Sequence, residues 1–269
     1  MHPILNIAVR IARTCGNILI QHYDRNKINN ESKILKHDLI IKIITIIETK
    51  IINMINKSYP EHSVITHHKK TKILKNTEIV WIINALDGIQ NFENNFPHFC
   101  ISIAVVIRNI TQISVIYDPI RNELFTSVKG QGAQLNGYRM RCKNTNVLKD
   151  SLIGLIYPYK NMELKKYFIQ IINFLLLNKV NLRCTGCISL DCTYVAMGRL
   201  DYLFNCNSKP FLFTSGSLQI KESGGLISDV NGGHNYTSLG LILTGNPKLT
   251  RAILVKIRES FKNSYFLKN

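Results

Sequence analysis

Trp81-Ile82-Ile83-Asn84-Ala85-Leu86-Asp87-Gly88-Ile89-Gln90-Asn91-Phe92 is the stretch that decides how this chain is read. An apolar run ends on Asp87-Gly88, and Asn91-Phe92 follows, the pattern of a strand that feeds a turn beside a site. Working outward, Ser63-Val64-Ile65-Thr66 and Ile79 to Ile83 read as strands. Ile101 to Tyr117 is rich in Ile and Val with a polar break at Arg108-Asn109, which predicts two paired strands. Glu123 to Gly137 adds strand signals punctuated by Gly130, Gly132 and Asn136-Gly137. Upstream, Pro3 opens a helical pattern, with Ile4, Ile7, Ala8, Ile11, Ala12, Cys15, Ile18 and Leu19 at three- and four-residue spacing. Leu39 to Met54 predicts a second helix, apolar on nearly every side and hence deeply buried. Beyond residue 145 the texture changes to longer helices alternating with short strands. Lys165–Asn178, Ser189–Arg199, Ser217–Ser223 and Leu249–Phe261 read as helices, and Gly224-Gly225 stops the third before a strand at Leu226-Ile227-Ser228. Two closely packed α/β halves are expected, 1–145 carrying the site motifs and 146–269 completing the fold.

Length and composition narrow the class. The 269 residues, 45% hydrophobic, suffice for a large core and exclude a disordered chain. Lys42, Glu48 and Lys50 interrupt the most apolar stretch, Leu39 to Ile55, which argues against a membrane span. Met1-His2-Pro3 leads directly into an amphipathic pattern rather than a secretory leader. Seven cysteines, an odd count, fit reduced thiols in the cytoplasm. The net charge of +17 would favour a polyanion such as RNA or DNA. The abundance of Ile, Asn and Lys offers a second source for that charge, a drift toward AT-rich codons.

The segments quoted so far resemble the inositol monophosphatase family. Asn84 to Phe92 resembles its metal-binding signature Asp-Pro-Leu-Asp-Gly-Thr-Thr-Asn-Phe, with Asn84 for the first Asp, Ala85 for Pro, and Ile89 and Gln90 for the two Thr. Tyr117–Phe125, Gly130–Gly137, Val195–Asp201, Glu222–Gly225 and Gly245–Pro247 follow the family nearly letter for letter. The resemblance covers essentially the whole chain and implies an α/β fold, a layered α+β sandwich of alternating helices and sheets. It also implies a homodimer and a Mg²⁺ site built from carboxylates, since hard Mg²⁺ takes oxygen ligands and activates a water on phosphate.

Carried over residue by residue, the resemblance makes Asp87 a bridging metal ligand and Leu86 a carbonyl donor, with Leu86, Asp87, Gly88 and Ile89 lining the substrate. Asn84 replaces a second carboxylate. His67-His68 stand where the family has Glu-Glu, and Leu212 stands where it has the Asp of a Trp-Asp pair. Ile41 and Ile44 occupy the positions of a Thr and an Asp that help the metal-bound water, and Ile89 is likewise altered, so no catalytic position is intact. Arg183 and Gly186 keep an Arg-x-x-Gly-Ser segment whose Ser is Cys187, and Asn205 replaces a Glu that contacts inositol hydroxyls. Imidazole, amide and Leu are poor substitutes for a carboxylate toward Mg²⁺, so binding is expected to be weak or absent.

Other groupings carry less. Adjacent residues on a strand point to opposite faces, so His67 and His68 are not expected to share one ion. Cys184-Thr185-Gly186-Cys187 has Cys-x-x-Cys spacing, but no second pair completes a zinc site and no thioredoxin-like context surrounds it. Asp118 and Glu123 read as turn and strand-end residues. Lys69, Lys70, Lys72 and Lys75 form either a solvated loop or a contact to RNA phosphates. The branch of the family that the flanking motifs resemble serves ribosomal RNA transcription antitermination and ribosome biogenesis. That branch implies NusA, RNA polymerase and ribosomal leader RNA as partners. An active inositol-1-phosphatase and a folded remnant without activity stand as alternatives.

Overall fold

The computed structural model describes residues 3–26, 33–68, 74, 77–145, 147–158, 162–206, 210–233 and 241–260. Two helices, α1 (Pro3–Asn26) and α2 (Lys33–Ser58), precede a seven-stranded sheet whose strands lie in chain order. These are β1 (Ser63–Thr66), β2 (Ile79–Asp87), β3 (Cys100–Ile107), β4 (Ile110–Asp118), β5 (Glu123–Val128), β6 (Gly132–Leu135) and β7 (Tyr138–Arg139), with the short helix α3 (Ile89–Glu93) after β2. Only β1 and β2 run parallel; the rest is an antiparallel meander. The Arg108-Asn109 break is a tight hairpin turn with both residues at positive φ, 48° and 61°, the twist that antiparallel strands favour.

A five-stranded sheet follows in the order β11-β12-β10-β8-β9. Its strands are β8 (Leu152–Ile156), β9 (Asn181–Arg183), β10 (Tyr202–Asn205), β11 (Leu226–Ser228) and β12 (Ile242–Gly245). Its helices are α4 (Met162–Leu177), α5 (Ile188–Ala196), α6 (Pro210–Glu222) and α7 (Pro247–Ser260). The third helix of this half therefore begins at Pro210, seven residues before the expected Ser217, because Pro is well suited to open a helix.

Three apolar cores explain the layering. Alternate residues of β2 and β3, Ile83, Ile101, Ile103 and Val105, meet α1 and α2 in the first core. α4 and α7 pack on β8, β10 and β12 in a second. Between the sheets lie α5 and α6, in a third core that joins Cys100, Ile116 and Phe125 of the first sheet to Leu203 and Ile242 of the second. The result is a helix–sheet–helix–sheet–helix sandwich, the mixed α/β layered fold expected from the sequence.

α2 corrects one expectation. It is not buried on every side: Ile40, Ile43, Ile44, Ile47 and Ile51 face the core, while Ile46 is 56% exposed. On its outer side the Thr45 and Thr49 hydroxyls donate back along the helix to the Ile41 and Thr45 carbonyls at 2.8 Å. α1, by length and composition, is the one helix among the described residues that could cross a membrane. Its Ala8, Ile11, Ala12, Cys15 and Leu19 are spent on the first core.

Candidate active site

Two of the site positions, Asn84 and Asp87, lie where β2 breaks its register. Asn84 pairs with Ser102 and Asp87 with Cys100, so β2 carries one extra residue over that interval, a bulge. Bulges re-aim side chains and recur beside functional sites. Ser102 and Cys100 are two apart on β3 and share a face. Their partners Asn84 and Asp87 therefore share it too, although their spacing of three would place them on opposite faces of a regular strand. This face looks toward α6, since the Ser102 hydroxyl hydrogen-bonds the Ser215 hydroxyl.

Asp87 is buried, and its carboxylate accepts the Ser189 N–H at 2.7 Å. Cys187 caps α5 without a side-chain hydrogen bond of its own, so Asp87, 102 residues before Ser189, supplies the negative charge that a helix N-terminus favours. Burial raises the Asp87 pKa above its ordinary range, against the hydrogen bonds from Ser189, Cys187 and Gly88. Gly88 turns the chain out of β2 with φ 90° and caps α3, and Ile89 packs against the first core. Leu86 is buried in that core, as is Ile44, and Ile41 packs against it.

From the other half, Leu212 lies near the start of α6, partly buried against the core that holds Cys100 and Cys187. The neighbouring Phe211 ring is 6.0 Å from that of His67. Asn205 is fully buried at the end of β10, paired with Ile156 and Ile242. The Arg183 guanidinium donates to the Leu182 carbonyl at 2.8 Å, on the exposed rim of the second sheet. Gly186 packs on Asn91 of α3, whose amide bridges the His98 and Thr185 carbonyls at 2.7 and 2.8 Å. Lys69, Lys70, Lys72 and Lys75 lie outside the described residues.

One expectation changes. His67 and His68 do not diverge, because the chain has already left β1 at Thr66; Nδ1 of one and Nε2 of the other are 3.2 Å apart. The His68 N–H donates to the buried Glu48 carboxylate of α2 at 3.2 Å. Cys184 and Cys187 do not act as a pair, since Cys184 is exposed and Cys187 is buried against Cys100 with sulfurs 3.7 Å apart. Burial pushes the Cys100 thiol up to about 11 and Cys187 well above its ordinary value. Sequence reasoning missed Cys100 and Ser102, whose only signal is a cross-strand register hidden by the bulge, and Ser189 and Ser215, which reach the site from α5 and α6.

The sequence pattern of the Inositol monophosphatase family matches residues 1–262. The chain is 74% identical over 264 residues to Nus factor SuhB of Buchnera aphidicola subsp. Baizongia pistaciae (strain Bp), covering 98% of this chain and 99% of that protein. It is 39% identical over 264 residues to Nus factor SuhB of Escherichia coli (strain K12), with the same coverage. The crystal structure of extragenic suppressor protein suhB from Bartonella henselae superposes with a TM-score of 0.82 at 27% identity, covering 97% of this chain and all of that one. A match of this extent, on the same layered scaffold, makes the chain a member of the inositol monophosphatase family.

Proposed function

We propose that the chain acts as a SuhB-type Nus factor in ribosomal RNA transcription antitermination, on a scaffold whose phosphatase site no longer turns over phosphomonoesters. The observation that carries the first part is 74% identity, over nearly the full length, to a protein named Nus factor SuhB. The second part rests on the donor set. Mg²⁺ requires hard oxygens in a near-octahedral array. Here the positions hold the Asn84 amide, the Leu212 alkyl chain, the His67 ring and the Ile44 side chain, and the remaining carboxylate, Asp87, is engaged by the N-terminus of α5. These residues do not fit Mg²⁺.

The reading places the chain in the cytoplasm as a homodimer, with NusA and RNA polymerase as partners and ribosomal leader RNA as the nucleic acid. The charge of +17 would assist RNA contact, and Lys69, Lys70, Lys72 and Lys75 are its proposed phosphate contacts. A pull-down against NusA and RNA polymerase, with and without leader RNA, tests it. Retention of both partners together with no inositol-1-phosphate turnover is expected. Turnover at roughly 1 s⁻¹ or more at millimolar Mg²⁺, without partner binding, restores the enzyme.

A further inference from the structure

Asp87, Cys100 and Cys187 each place a ligand atom within 4.8 Å of the other two, and all three are buried. The three come from separate parts of the fold: the end of β2, the start of β3 and the residue capping α5. We propose that they form a binding site for a thiophilic divalent cation of the Zn²⁺ class, a clamp between the first sheet and the middle helix layer. Only Asp87 is shared with the positions that resemblance assigns to Mg²⁺, and the inference stands whether or not the Nus-factor reading does.

The sulfur spacing fits two thiolates on one zinc. With Zn–S near 2.3 Å, two sulfurs on one zinc lie about 3.8 Å apart. The Cys100 and Cys187 sulfurs are 3.7 Å apart. A disulfide would need about 2.05 Å, and both thiols are free. Thiolates select Zn²⁺ over Mg²⁺, so the change from hard to soft donors changes the ion that the position favours.

A second observation points the same way. The Asp191 N–H donates to the Cys187 carbonyl at 3.0 Å, which sets Asp191 one turn along the same helix face. Asp191 is fully buried, and one of its carboxylate oxygens, Oδ2, has no hydrogen-bond partner among the described residues. Unpartnered buried oxygens of this kind are costly unless something compensates them. A cation held by Asp87 and two thiolates would give the Asp87 carboxylate a direct ionic partner, and because one dication replaces two thiol protons the net charge of the site is unchanged. Each thiol loses its proton to solvent as the metal binds, and no oxidant is required.

The test uses the full-length chain, purified anaerobically after expression with added zinc. Elemental analysis should give about one zinc per chain. Replacing zinc by Co²⁺ should produce thiolate-to-metal charge-transfer absorption that millimolar Mg²⁺ does not displace. The double variant Cys100→Ser with Cys187→Ser should bring zinc close to zero, while Cys184→Ser, at the exposed cysteine, should retain it. Should the double variant fail to fold, X-ray absorption at the zinc edge of the unaltered protein decides, because two sulfur neighbours near 2.3 Å are expected. Folded protein with neither zinc nor the cobalt band overturns the proposal. So does a shell of nitrogen and oxygen alone, a Cys100–Cys187 disulfide, or loss of zinc in Cys184→Ser.

Discussion

Gly88 and His98 show how little freedom the end of β2 has. A Cβ on Gly88 would lie 2.8 Å from the His98 carbonyl oxygen, at a φ of 90° that side chains resist. Gly88→Ala is therefore expected to destabilise by roughly 1–3 kcal/mol, read as a lowered urea midpoint. His98 is 5% exposed, and burial, helped by the Arg121 charge, pulls its pKa down from 6.5 to about 4. The native ring is neutral at pH 6, whereas the unfolded one takes up a proton. Its contribution is thus whole above pH 6.5 and is lost as pH falls toward 4, at about 1.4 kcal/mol per pH unit. His98→Phe should flatten the pH dependence of urea unfolding in that window; an unchanged slope would place the acid sensitivity elsewhere. At this scale the sequence was informative where local chemistry decides. Asp87-Gly88 reads as a strand entering a turn, and it is one. The use of Asp87 as a tertiary helix cap was illegible, because its partner Ser189 is 102 residues away.

Periodicity located the helices and strands well, and it failed where it reports composition rather than environment. The Ile-rich α2 looked buried all round, yet a helix laid on a sheet buries one stripe, and Ile46 stays outside. The early start of α6 was missed because Pro210-Phe211-Leu212-Phe213 carries no helical alternation of polar and apolar residues. The crossing of α5 and α6 rests on a residue that no pattern marks. A Cβ on Gly216 would meet the Cys192 Cβ at 2.5 Å and its sulfur at 2.6 Å. Gly216→Ala should force the helices apart and destabilise by roughly 1–3 kcal/mol. Cys192→Ala in that background should not restore stability, because the clashing Cβ remains. Cys192→Gly should recover part of it, less about 1 kcal/mol for a glycine inside a helix. Equal thermal melting of the two double variants would show that the contact does not set the crossing.

Across the whole molecule, the change of texture near residue 145 marks where the first sheet gives way to the second, but the two halves do not have separate interiors. The third core takes Ile116 and Phe125 from one sheet, Leu203 and Ile242 from the other, and Leu190, Val195, Phe213 and Ile220 from the helices between them. Polar ties cross the same boundary: Glu123 pairs with Arg199, and Glu222 accepts the Gly130 and Gly132 N–H groups at 2.8 Å. Separating the halves would expose one apolar face of each sheet at once, at about 25 cal/mol for every Å² uncovered. One cooperative transition is therefore expected, even though the sequence reads as two halves. Trp81, the sole tryptophan, is fully buried in the first core and donates its indole N–H to His62 at 3.0 Å, so its fluorescence reports the first sheet. Cys206 is fully buried in the second core, and mass-resolved thiol labelling at that residue reports the second sheet. In a urea titration under reducing conditions the two midpoints should coincide. A Cys206 midpoint well below that of Trp81 would mean that the second half unfolds alone and that the shared core is weaker than its composition implies.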